Sequence, residues 1–161
     1  GYVLQSGEDM SLRTLEELER DVVGLYGGVA AEEMFYGARG ISVGSQNDIE
    51  KITKMLNLMV SRLSMYSRSK IDYSQLGQEA SGEHTVRLVE EKADALYSYT
   101  LDAIRDYRLM MESIKDTLLD QYVLSKDEVF ALLEERSELL TPQLQGHHVA
   151  NLKLCDEAVA A

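Results

Sequence analysis

Residues 14–36 read TLEELERDVVGLYGGVAAEEMFY, and their spacing predicts a helix. Thr14 stands three residues before Glu17. In such a capping box the hydroxyl takes a free amide at the helix start and the glutamate returns to the amide of the threonine. Leu15, Leu18, Val22, Leu25 and Val29 come at steps of three and four, which puts them on one face. Continued at that period, the stripe reaches Glu32 and Tyr36. A carboxylate on a buried stripe is costly unless it is partnered, so Glu32 asks for a cation, a metal or a hydrogen-bond network. Gly27 and Gly28 interrupt the run, and each costs about 1 kcal/mol against alanine in a helix. Their presence predicts the close approach of another backbone.

A second helix is predicted from about Asn47 to Leu63. The segment GSQNDIEK at 44–51 leads into it, with Ile49, Ile52, Leu56, Met59 and Leu63 as its apolar ladder. Asp48 falls in the first turn, where the dipole and free amides favour negative charge by about 0.3–1 kcal/mol. Two acids, Glu32 and Asp48, thus face one core with no basic residue on either stripe. That arrangement calls for a cation from elsewhere.

Residues 64–82 are rich in serine and tyrosine with weak periodicity and read as a loop. A long helix from about Glu83 to Gln121 carries apolar positions at Val86, Val89, Ala93, Leu96, Thr100, Ile104, Tyr107, Met111, Ile114 and Leu118. Neither glycine nor proline breaks this packing seam. Ser125 and Glu128 form a second capping box, opening a shorter helix to about Arg136. Tyr2 to Gln5 reads as a short strand. The expected fold class is mainly α: a helical bundle with a short N-terminal β-strand. Residues 1–140 form the domain and residues 141–161 a flexible tail.

The formal charge of −12 over 161 residues disfavours nucleic acid and an anionic membrane surface. Cys155 is the one cysteine, so no internal disulfide forms and a reducing compartment is expected. No apolar run approaches the roughly 20 residues of a membrane span. The opening GYVLQ reads as a cut end, with any membrane anchor upstream of Gly1. His147 and His148 are adjacent, and neighbours in sequence do not share an ion as a pair four apart does. They read as solvated tail residues, and His84 as a capping or surface residue at a helix start.

Gly27-Gly-Val-Ala-Ala-Glu-Glu33, Tyr36-Gly37 and Gly44-Ser-Gln-Asn-Asp48 together resemble the peptidase domain of the FtsH family of membrane-anchored, ATP-dependent AAA+ zinc metalloproteases. The opening GYVLQ and the stretch from Thr85 to Glu135 are similar to that family as well, so the likeness covers about residues 1–136. The resemblance implies that Asp48 is the third zinc ligand, after the two histidines of an HExxH helix, and that Glu32 stands beside the metal without binding it. The zinc would activate the attacking water. It further implies protein substrates, a homo-hexamer, ATP in a separate ATPase module, and membrane quality control. The domain would stand on the cytoplasmic, matrix or stromal side of the membrane, and the fragment itself would be soluble.

The departures are informative. HExxH is absent from the 161 residues and would fall before Gly1. A catalytic zinc site needs three protein ligands, so this fragment alone is expected to be inactive and not to retain zinc. The family's GMS turn is Ser64-Met65-Tyr66, its alanine-arginine is Leu56-Asn57, and its GGRAAEE arginine is Val29. The alternative is a non-catalytic relative, a pseudoprotease or oligomerisation module using the long seam. The strand Tyr2–Gln5 could offer an edge to extended substrate.

Overall fold

A computed structural model describes residues 13–76 and 78–135. These residues are mostly helical. The short strand at Tyr2–Gln5, the tail from 141, His147, His148 and Cys155 lie outside them. The described residues fall into two compact units, one ending at Leu101 and the other starting at Asp102.

In the first unit, helix α1 spans Leu15–Tyr36. Its capping box forms as the spacing predicts. The Thr14 N–H donates to Glu17 Oε2 at 2.6 Å and the Glu17 N–H to Thr14 Oγ1 at 3.3 Å. The helix passes through Gly27 and Gly28 without a break, and a Cβ at either would meet no atom within 4 Å. The expected backbone approach is therefore not there among the described residues. Two single turns come next, Ala38–Gly40 and Val43–Ser45, and lead into helix α2 at Gln46–Asn57.

Leu18 and Val22 from α1 meet Ile52, Leu56 and Met59 from the second helical segment in one buried cluster. Full burial of such a side chain contributes about 1.5–3 kcal/mol, so this cluster is the main reason α1 and α2 stay together. The ends of both predicted stripes are not buried. Tyr36 is 74% exposed, Ile49 46% and Leu63 43%.

Leu63 is out of register for a definite reason. After Asn57 the chain widens into a π-helical turn, Leu58–Arg62. The Leu63 N–H reaches Leu58 O, five residues back, at 3.0 Å, and the Ser61 hydroxyl takes Asn57 O at 2.5 Å. Met59, Val60 and Ser61 are buried consecutively, which no α-helical face allows. One extra residue per turn rotates the residues beyond it by about 100°, turning Leu63 outward.

Helix α3 spans Gln78–Asp106, starting earlier than the sequence suggests. Val89, Ala93 and Leu96 pack against the core of the first unit. Thr100 is buried with its hydroxyl on Leu96 O at 2.7 Å. This part of the seam is therefore intrachain core, while Val86, at its predicted start, is 56% exposed. Tyr66 anchors the preceding loop: its hydroxyl donates to Glu19 at 3.0 Å and its ring lies under Lys92 Nζ at 5.3 Å. His84 is exposed and sits inside α3, beside the Tyr73 ring at 5.5 Å, so it does not cap the helix.

The predicted continuous helix to Gln121 is interrupted at Tyr107, whose ψ of 11° leaves the helical range. Propensity did not signal this, because neither glycine nor proline stands near the break; Tyr107 itself still bonds both ways, its N–H to Ala103 O at 3.1 Å and its carbonyl to the Met111 N–H at 3.0 Å. In the second unit α4 spans Arg108–Gln121 and α5 spans Lys126–Glu135. Tyr122 ends α4 in the left-handed conformation, and the Ser125–Glu128 box opens α5 as predicted.

Candidate metal centre

Glu32 and Asp48 sit on different elements, sixteen positions apart in the chain, and the loop between them is what relates them. Gly37 closes α1 with φ +75° and its N–H on Glu33 O at 2.8 Å, a conformation that favours glycine. A Cβ at Gly40 would stand 2.3 Å from Tyr36 Cβ. These two glycines turn the chain back along the last turn of α1, so that Ser42 and Ser45 come over Glu32.

Glu32 is fully partnered by that loop. Its Oε2 accepts the Ser42 N–H at 2.6 Å and the Ser45 hydroxyl at 3.4 Å, and its Oε1 accepts the Ser42 hydroxyl at 2.9 Å. The Ser42 amide, then its hydroxyl, hold the Glu32 carboxyl below the usual carboxylate range; burial opposes them and Ser45 assists. Of the partners its stripe position asked for, the structure supplies the hydrogen-bond network, so Glu32 needs no cation.

Asp48 is half-buried, in the first turn of α2. It too has a partner inside the chain. Lys51 Nζ stands 3.0 Å from its Oδ1, with the two side chains 51% and 42% exposed. Lys51 lies one turn along the helix and off the apolar stripe, which is why counting basic residues on the stripe overlooked it. An exposed pair of this kind holds weakly, at about 0.3–0.5 kcal/mol, so Asp48 remains available to a stronger cation.

Glu32 and Asp48 do not converge on one point with a third donor. Among the described residues no group of three His, Cys, Asp or Glu side chains could hold a metal ion. The donor set present offers one available oxygen ligand, Asp48, short of the three that a catalytic zinc requires. The described residues therefore do not make a zinc site by themselves. Ser42 and Ser45, which hold the Glu32 carboxylate, were not legible as its partners, because nothing in local spacing ties a loop serine to a carboxylate one turn inside the preceding helix.

The sequence profile described as Peptidase family M41 matches residues 1–132, and the chain belongs to that family. Its relatives include the ATP-dependent zinc metalloprotease FtsH of Chlorobium luteolum, 33% identical over 143 residues that cover 80% of this chain and 20% of that protein. The protein of the same name from Mesomycoplasma conjunctivae is 32% identical over 144 residues, 80% of this chain and 19% of the relative. That of Rhodothermus marinus is 30% identical over 166 residues, covering 95% and 24%. The chain thus spans about a fifth to a quarter of the length of these relatives. The expectation of an FtsH-type peptidase domain is borne out.

Proposed function

We propose that this chain is the C-terminal part of the proteolytic domain of an ATP-dependent zinc metalloprotease, and that Asp48 supplies one zinc ligand there. The observation that carries this reading is the Glu32 clamp on Ser42 and Ser45. It sets the first turn of α2 in place and leaves the Asp48 carboxylate half-exposed beside a weakly held lysine, Lys51. The two histidines and the water-activating glutamate come from a segment outside these 161 residues. Zinc bound there would lower the pKa of a water and polarise the scissile carbonyl; this chain contributes the aspartate and its support. The parent protein would be membrane-anchored, assembled as a hexamer, and would act on membrane and misfolded proteins driven by its ATPase module. This fragment alone neither holds zinc nor cleaves peptides.

The test is Asp48→Ala in the intact protease. Zinc content and proteolysis should both be lost while ATP hydrolysis persists. Zinc retained at wild-type stoichiometry rejects the ligand role. The Asp48–Lys51 pair favours a second reading, in which Asp48 only supports a helix start in a non-catalytic scaffold. Under that reading the variant changes neither zinc content nor peptide cleavage.

A further inference from the structure

We propose that the basic loop at 62–71 binds the outer face of α3 on a second copy of this chain, head to tail. The contact requires neither Asp48 nor a metal ion, and it does not depend on how many copies assemble. Three observations carry it.

First, charge is segregated along the chain. Residues 51–71 hold five basic residues, Lys51, Lys54, Arg62, Arg68 and Lys70, and no acidic one, in a chain whose formal charge is −12. Lys51 and Lys54 pair with Asp48 and Glu50. Arg62, Arg68 and Lys70 are exposed and make no ion pair among the described residues. Asp72, the next acid, gives its carboxylate to Ser74, accepting the N–H at 2.9 Å and the hydroxyl at 2.5 Å. Arg62 acts on it only through space.

Second, the fold gathers these charges around apolar side chains. Left-handed residues at Ser64, φ +49°, and Lys70, φ +51°, double the loop back on itself. Lys70 Nζ then donates to Ser64 O at 3.3 Å, which sets Lys70 beside the helix end that carries Arg62 and Leu63. Leu63 and Ile71 are each 43% exposed there. Exposed apolar side chains rimmed by charge suit a protein surface rather than a small anion.

Third, the complement lies on the same compact unit. Glu83, Glu90 and Asp94 of α3 fall at steps of seven and four, so they share one face, and all three are exposed. Arg87 is the one base between them, and Val86, 56% exposed, adjoins them. This face is turned away from the loop of its own chain. Lys92 lies over the Tyr66 ring of that loop at 5.3 Å, and Glu90 and Asp94 each stand about 200° round the helix from Lys92. A second copy can bring its loop to this face where the chain's own loop cannot. Two chains of like net charge repel at long range, but physiological salt screens that beyond about 8 Å, so the complementary faces set the contact and its register. Two different faces that fit each other pass the contact from copy to copy, closing a ring or continuing as a filament.

The experiment uses the intact protein with Cys155→Ser, carrying Lys70→Cys, Glu90→Cys or both, a short bis-maleimide cross-linker, and a denaturing gel. The variant with both cysteines should give a ladder of dimers, trimers and larger species. A mixture of the two single variants should give dimers and nothing larger, and each single variant alone should give no product. Arg62→Glu with Arg68→Glu, added to the two cysteines, should remove most of the ladder. Adding Glu83→Lys with Asp94→Lys should then restore it, which a folding defect could not do. Absence of a ladder, cross-linking of one single variant to itself, or a link confined to one chain overturns the head-to-tail contact. A ladder that survives the first reversal, or does not return with the second, overturns the charge pairing. A protein that gives no ladder yet still sediments as an oligomer overturns this contact and leaves the proposed assembly standing.

Discussion

The phenolic hydroxyl of Tyr97 donates to the carboxylate of Glu33, tying the last third of α1 to α3. The Tyr26 ring packs tilted against Tyr97, with centroids 5.1 Å apart. The two adjacent acids of the Ala31-Glu-Glu33 stretch thus do different work. Glu32 points to the loop and holds Ser42, while Glu33 points to the neighbouring helix and holds Tyr97.

Burial, then the hydrogen bond to the anionic Glu33, raise the Tyr97 pKa above its ordinary value. The neutral phenol is therefore the form the fold favours. Its contribution is fully present below the unfolded tyrosine pKa of about 10 and is lost as pH rises through the folded value. Tyr97→Phe should cost about 1.5 kcal/mol at neutral pH, the low end for a bond to a charged group because the site is only part-buried. It should also flatten the alkaline limb of the stability curve. Thermal melts from pH 7 to 11 check this, and an unchanged melting temperature at pH 7 would defeat it.

Glu32 gives the opposite sign. Its folded pKa is depressed, first by the Ser42 amide. The stabilisation it brings is present above the unfolded glutamate value of about 4.3 and disappears as pH falls through the folded value. Glu32→Gln should lower the melting temperature at pH 7, and the gap from wild type should close in acid. Glu17 and Glu128 are depressed in the same direction by their capping boxes, so the variant keeps part of the acid dependence. A gap that stays constant down to pH 3 contradicts the assignment.

Ser64 is strained in the native fold. Its φ is +49°, it is 3% exposed, and its hydroxyl oxygen has no partner among the described residues. A residue other than glycine held in this region costs about 1–3 kcal/mol. The FtsH pattern has glycine at the matching position. Ser64→Gly should therefore stabilise the protein by about 1 kcal/mol, read as a higher urea midpoint at unchanged slope. A lower midpoint would show that the serine contributes something the geometry does not reveal.

How much was legible depends on how far each signal reaches. The Thr14–Glu17 and Ser125–Glu128 boxes act over three residues, and both form as read. The buried parts of the stripes, Leu18 with Val22 and Ile52 with Leu56, agree with a period of 3.6. Periodicity failed where the period itself changes. The π turn at Leu58–Arg62 shifts the register and exposes Leu63, and the break at Tyr107 leaves no mark in composition, with neither glycine nor proline beside it.

Sequence alone determined the buried parts of the helical stripes, the two capping boxes, the family, and the presence of acids at Glu32 and Asp48, because each of these is local or is carried by a short motif. Tertiary structure decided their partners. Glu32 meets Ser42 and Ser45 only because Gly37 and Gly40 fold the loop back over α1, and Glu33 meets Tyr97 only because α3 packs there. A hydrogen bond depends on distance in space, and no spacing along the chain encodes a contact 64 residues away.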